Sequence, residues 1–251
     1  MLPRLIEFGS SATTWLNDNQ GLLAVLIFVL TLIFGWASGI FGALRRKPRF
    51  KIKVLPGPTF CCTFLTGKKY EQYDVHRSAF ALYLDLTNIG SAASSISGIC
   101  IGYHWQIVPI SWQWFRYTFG WFWLTQPIAS LTDFQVKIGE HLKVYPFLLQ
   151  RSFISGSGGE TFLESGRSKA GVVYFEQPDN WGACFPKARK GLVKIKIQIK
   201  DAFGRWHTAK AEIPAVTLDE ARKYNPGFGS TFKELRDETV EEVDMRQQAE
   251  G

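Results

Sequence analysis

This sequence predicts a mainly β protein: an antiparallel sandwich, preceded by one apolar N-terminal helix and followed by a short helical tail. Three observations carry the prediction. Between residues 45 and 216, apolar residues recur at every second position in about nine segments, with almost no helical period. Ahead of them lies a twenty-residue apolar run, Leu22–Phe41. Charge is also unevenly spread: residues 45–217 hold 23 Lys/Arg against 11 Asp/Glu, and residues 218–251 hold 5 against 9. The 251 residues thus divide into a short N-terminus (1–20), a helix (21–44), a basic β domain (45–216) and an acidic tail (217–251).

No residue from Asn19 to Leu44 is charged. Twenty helical residues rise about 30 Å, the thickness of a bilayer's hydrocarbon core. A secretory signal core is shorter, roughly 7–15 residues, and a globular helix normally keeps a polar face. Leu22–Phe41 fits neither pattern, so a single transmembrane helix is expected. Arg45, Arg46, Lys47, Arg49, Lys51 and Lys53 follow it, whereas only Arg4, Glu7 and Asp18 precede it. The positive-inside bias then puts the N-terminus outside and the β domain in the cytoplasm, at the inner (plasma) membrane of a bacterial-type cell. Trp15 and Trp36 fall near the two ends of the span, where indoles favour the interface, and Arg45, Arg46 and Lys47 suit anionic headgroups. Thr31, Gly35, Gly39 and Ala43 recur every fourth residue, so Gly35, Gly39 and Ala43 form a small-residue stripe suited to helix dimerisation.

The β domain reads in order. Phe50, Ile52 and Val54 alternate with basic residues. Phe80, Leu82, Leu84 and Leu86 share one face of the segment 80–88; Ala81, Tyr83, Asp85 and Thr87 share the other. Ile99, Ile101, Tyr103 and Trp105 align in 96–105. In 193–200, Val193, Ile195, Ile197 and Ile199 point inward, while Lys194, Lys196 and Lys200 point outward as a candidate anion-binding row. The sequence "DAFGR" (201–205) supplies a hairpin loop back into 206–213. Further strands are expected at 60–65, 134–138, 142–149 and 170–176. One apolar and one wet face per strand argues for antiparallel pairing.

The strand ending in "LTNIGS" (86–91) and followed by the Ile-rich 96–105 resembles the strand–turn–strand units of prokaryotic immunoglobulin-like sandwiches on single-pass membrane proteins. The resemblance implies an immunoglobulin-like β-sandwich and brings no functional residue with it.

An aromatic insertion spans 109–127. Its centre, "SWQWFRYTFGWFWL" (111–124), has eight aromatics in fourteen residues and one charge, Arg116. Two periods fit it, a strand or a helix capped by Ser111 between Pro109 and Pro127. Membrane-surface contact through Trp112, Trp114, Trp121 and Trp123 is the favoured reading, ahead of core packing and ligand stacking. In the tail, Thr217 and Glu220 have capping-box spacing.

No motif carries catalysis, and no cofactor site is expected. "SGSGGE" (155–160) lacks the Lys-Ser/Thr of a phosphate loop, and the four histidines are isolated in sequence, so no metal site is expected. Cys61, Cys62, Cys100 and Cys184 lack CxxC spacing; free thiols are expected, with one of Cys61 and Cys62 buried and the other exposed. Nucleic acid is disfavoured, because no RNP-type aromatic signature sits on a strand. The expected function is a membrane-anchored, non-catalytic interaction or scaffold module contacting membrane lipid, with a protein partner or a homodimer through the anchor. The alternatives are a sensor for a small anionic ligand and, behind it, a membrane-anchored hydrolase.

Overall fold

A computed structural model describes residues 15, 17–39, 46–149 and 161–230, with the Thr118 side chain left aside. The chain divides into two units, 1–47 and 48–251.

In the first unit, helix α1 spans Gln20–Ala37, about 27 Å of rise. Its mean hydropathy is 2.2 and none of its residues is buried within the protein. By length and composition this is one apolar helix of the kind found in single membrane spans and in signal sequences. It ends earlier than the 21–44 expected. The Ser38 N–H donates to Phe34 O, the Gly39 N–H donates to Trp36 O, and Gly39 turns to φ +75°. Glycine takes that left-handed conformation readily and so terminates helices. Gly35 is therefore helical, and Gly39 stands in the turn that follows the helix. Ala43 and Arg45 lie outside the described residues.

The second unit is built on a mixed sheet of eleven strands and a separate two-stranded sheet. Its organiser is β3 (Tyr73–Asn88), sixteen residues long. β2 (Phe60–Tyr70) and β1 (Phe50–Val54) lie end to end along one of its edges, pairing with 73–81 and 84–88. β9 (Ser168–Glu176) and the short β10 (Asn180–Trp181) occupy the other edge. The sheet continues from β2 through β13 (Trp206–Val216), β12 (Leu192–Asp201) and β4 (Ser94–Tyr103) to β5 (Phe122–Leu124). The short β8 (Phe162–Leu163) and β11 (Ala188–Arg189) pair with β4 and β12. The small sheet is the hairpin β6 (Phe134–Ile138) and β7 (His141–Tyr145).

Among the named strands of the described residues, pairing is antiparallel except where Ala215 and Val216 of β13 run parallel to Cys61 and Cys62 of β2; an isolated bridge between Phe147 and Val172 is also parallel. The expected all-antiparallel sheet is thus mixed. β13 outruns its partner β12 at Leu192↔Pro214, and its last residues find backbone partners on β2 instead.

Period two places the core as the sequence predicts. Phe80, Leu82, Leu84 and Leu86 of β3 and Val173 and Phe175 of β9 join one fully buried cluster. Ile99, Ile101 and Tyr103 of β4 and Val193, Ile195, Ile197 and Ile199 of β12 belong to the same cluster. The expected wet face of β3 is kept in part: Tyr83, Asp85 and Thr87 are half-buried, whereas Ala81 is covered. Ala79 and Ala81 are small enough to admit a second layer, made by Phe134, Tyr145, Phe147, Ala221 and Phe228. Helix α3 (Leu218–Arg222), with the Thr217–Glu220 capping box formed, supplies Ala221, so Ala221 and Phe228, beyond 216, are part of this core. Cys61 faces the first cluster and Cys62 the second. Both are buried, which corrects the expectation that one is exposed. The segment around Leu148 crosses β9 so closely that a Cβ on Gly171 would lie 2.6 Å from Leu148 N.

The β12–β13 turn is fixed by buried Asp201. Its carboxylate accepts the N–H groups of Phe203 and Arg205, each at 2.9 Å, and His207 Nε2–H at 2.9 Å. His207 Nδ1 in turn accepts the Phe50 N–H at 3.3 Å, tying the hairpin to β1. Burial by itself pushes the Asp201 carboxyl up; the hydrogen bonds from His207, Arg205 and Phe203 outweigh it and hold the group below its ordinary range. A lowered folded value stabilises the fold above the unfolded-state value near 3.9 and loses that contribution as pH falls through the folded one. Asp201→Ala is expected to cost about 2–3 kcal/mol at pH 7 in urea unfolding. The gap between wild type and variant should narrow from pH 6 to pH 3; a gap constant with pH would mean the carboxylate charge is immaterial.

Candidate functional site

The aromatic tract realises both periods in succession. Ser111 Oγ accepts the Trp114 N–H at 3.0 Å and starts helix α2 (Trp112–Thr118). After Gly120 the chain becomes β5, where Trp123 pairs with Gly102 of β4. The two halves have different surroundings. On the helical half, Ile110 (82 % exposed), Trp112 (80 %) and Phe119 (70 %) face outward, with Val108 and Phe115 also exposed. The rings of Trp114, Phe115 and Phe119 touch one another, so the helix carries a preassembled aromatic ridge. Ile110 holds φ +70°, a costly conformation for a β-branched residue. On the strand half, Trp121 and Trp123 are half-buried. Gly102 makes room for Trp123, whose ring lies 3.1 Å from where a Cβ would stand.

Of the other proposed interface residues, Trp15 and Trp36 are exposed, as are Arg46 and Lys47. Trp112 joins them in exposure, Trp114 is half-buried, and Trp121 and Trp123 lie on the sheet.

That sheet face is the second notable surface. One register row runs Lys210–Lys196–Gly102–Trp123 across β13, β12, β4 and β5. Lys196 Nζ sits over the rings of Trp121 (5.9 Å) and Trp123 (5.6 Å). In the next row Lys194 reaches Glu212 at 3.5 Å. Lys200, at the far end of β12, lies over Trp206 and belongs to a different patch. The predicted trio Lys194, Lys196 and Lys200 is thus split two to one.

Lys194 lies in a cleft that sequence alone did not reveal. One lobe, about 250 Å³, is lined by His104, Lys187, Arg189, Leu192, Lys194 and Glu212. An adjoining lobe of about 570 Å³ shares His104, Lys194 and Glu212 and adds Trp121 and Lys210. Backbone pairing positions the rim: the Lys187 N–H donates to His104 O, and Arg189 pairs with Leu192 across a tight turn whose Lys190 and Gly191 both have positive φ. His104 Nδ1 faces two carbonyls, Gly120 O at 2.8 Å and Tyr117 O at 3.2 Å, and therefore carries the hydrogen. The imidazole also stacks on Trp121 at 4.2 Å. Lys210 was legible as the partner of Lys196 once "DAFGR" was taken as the loop; Lys187 and Arg189 had no periodic signal.

Elsewhere the polar clusters are self-satisfied. Arg77 bridges Glu176 (2.8 Å) and Asp179 (2.6 Å), and Lys68 joins Asp179 at 3.0 Å. Ser97 approaches the Asp201–His207 pair, but its hydroxyl donates to the carbonyls of Lys200 and Asp201, and both His207 nitrogens are engaged. That trio is structural and lacks a nucleophile–base contact. Burial, and then the neighbouring Cys62, push the Cys61 thiol far up; burial pushes Cys62 up to about 11, so neither is a ready thiolate. Among the described residues no three His, Cys, Asp or Glu side chains converge as a metal site.

No family model and no curated protein sequence matches this chain.

The two halves of the tract should separate by mutation. Trp123→Ser is expected to lower stability by about 2 kcal/mol in urea unfolding, and Trp112→Ser to change it by less than about 0.5 kcal/mol. Equal losses would mean that Trp112 is packed too.

Proposed function

We propose that this chain is a single-pass membrane protein, N-terminus outside, that holds a non-catalytic interaction module of immunoglobulin-like sandwich type at the cytoplasmic face. The helix α2 segment is its second contact with the bilayer. The outward Ile110, Trp112, Phe115 and Phe119 on a folded β domain carry this reading. A large ring removed from water contributes roughly 2 kcal/mol, and the segment is already ordered, so little conformational entropy opposes insertion. A single charge, Arg116, lies among these residues, so the contact is mainly apolar and only weakly dependent on salt. Tethering by an anchor in the same chain raises the local concentration of membrane, so a modest intrinsic affinity suffices.

The sandwich reading is supported by the single cluster that takes apolar rows from β3 and β9 and from β4 and β12. The span reading is supported by the uncharged twenty-residue run, and the orientation by Arg46, Lys47 and Arg49 on its C-terminal side.

Reconstituting the full chain in vesicles, with an environment-sensitive fluorophore at Trp112→Cys, tests the contact. The emission is expected to shift to the blue and to be quenched by spin-labelled lipid, whereas the same label at Leu65→Cys, another exposed site, stays water-like. Identical behaviour at both sites would remove the α2 contact. Orientation is read separately with C-terminal fusions: green fluorescent protein is expected to fluoresce and alkaline phosphatase to be inactive, and an active phosphatase reverses the topology.

A further inference from the structure

We infer that the cleft above β12 and β13 binds a phosphate-bearing group, held by Lys187, Arg189, Lys194 and Lys210 beside His104. Its cationic side chains are distinct from the α2 ridge, and its test is separate from that of the bilayer contact.

Charge is the first support. Four cationic side chains line the two lobes against one carboxylate, Glu212. Lys187, Arg189 and Lys210 have no carboxylate partner among the described residues, unlike Arg77 and Lys68. Lys210 moreover stands directly across from Lys196, a like-charge pair that destabilises a sheet unless an anion relieves it. A single carboxylate would neutralise only part of this excess; a phosphate carries up to two charges and several acceptor oxygens.

Construction is the second. A face of freely solvated lysines needs no walls, yet this cleft has them. The 187–189 rim is pinned to β4 and β12 by backbone pairing, and Trp121 and the locked His104 form a wall. With its hydrogen on Nδ1, His104 leaves Nε2 as the nitrogen free of these carbonyl contacts. The guanidinium of Arg189 supplies the planar fork that fits phosphate oxygens in pairs. The larger lobe, about 570 Å³, lies within the range of small-molecule sites, roughly 300–1,000 Å³.

The phosphate belongs either to a soluble metabolite or to a lipid headgroup, and two probes distinguish them. The full chain, in nanodiscs of phosphatidylcholine, is titrated calorimetrically with inorganic pyrophosphate and, separately, with water-soluble dihexanoyl phosphatidic acid. Saturable binding of either probe is expected, weakened at least tenfold in Lys187→Gln/Arg189→Gln and unchanged in Lys200→Gln, which alters the same strand outside the cleft. Binding of pyrophosphate identifies a soluble ligand; binding of phosphatidic acid alone identifies a headgroup. The double variant changes the exposed Arg189 and the half-buried Lys187, and an unaltered melting temperature certifies its fold. Absence of saturable binding by both probes, or equal weakening by Lys200→Gln, would overturn the assignment. Neither result bears on the label at residue 112.

Discussion

Burial of β3 on both faces is the constraint from which the rest of the β unit follows. Residues 78–82 of this strand are all buried. A strand in that position must have both backbone edges paired, because an unpaired N–H or C=O away from water costs about as much as a lost hydrogen bond. β1 and β2 on one edge, and β9 on the other, meet that requirement. The side chains then divide the work. The Leu82–Leu84–Leu86 side needs an apolar partner of similar width and finds it in the Ile rows of β4 and β12. The Ala79 and Ala81 side leaves a shallow bed, which aromatic rings from 134–147 and 221–228 fill. A larger residue at either alanine would lift that layer.

Coverage is therefore unequal across the sheet. Where the first residues of β2, the middle of β3 and the later residues of β9 lie, both faces are packed. Around β12 and β13, the face opposite the core keeps Lys194, Lys196, Lys210 and Glu212 in or near solvent. Trp121 and Trp123 lie against Lys196 on part of it, Trp123 admitted by Gly102. The doubly covered part of the sheet and the open chemistry thus lie in different regions, although β12 still supplies core on its inner face. Side chains on a rigid ladder lose little further freedom when a ligand arrives, which suits a binding surface better than a loop does.

The ladder itself was legible because its signal is local. Alternation in 193–200 specifies which residues face inward whatever strand lies beside them, and Val193, Ile195, Ile197 and Ile199 are all buried. Features set by a distant partner were not legible. Cys61 and Cys62 do point to opposite faces, but the second face is closed by residues some seventy or more positions away. The cleft depends on Lys187 and Arg189, which a two-residue strand and a backbone bond to His104 bring to Lys194. Two residues are too few to form a period. The aromatic tract stayed open for another reason: a seven-residue helix and a three-residue strand in succession satisfy both templates, so neither excludes the other. Gly39 has fourth-residue spacing from Gly35, and its left-handed turn just beyond α1 is a backbone property that spacing does not show.

The two exposed surfaces are not mechanically separate, because His104 belongs to both. Its ring lines the cleft, while its Nδ1–H is held by the carbonyls of Tyr117 and Gly120 where α2 ends. The last carbonyls of a helix lack intrahelical partners, so this imidazole supplies one for the end of α2. A group bound at Nε2 polarises the ring and strengthens donation from Nδ1, and displacing the ring from Trp121 would release the same carbonyls. Any such coupling is reciprocal: whatever a bound anion does to the pose of the aromatic ridge, insertion of the ridge does in equal measure to the affinity of the cleft. Because one side chain bears that linkage, its size is bounded by the worth of about two hydrogen bonds, roughly 1–3 kcal/mol. That is enough to bias a contact and too little to create one.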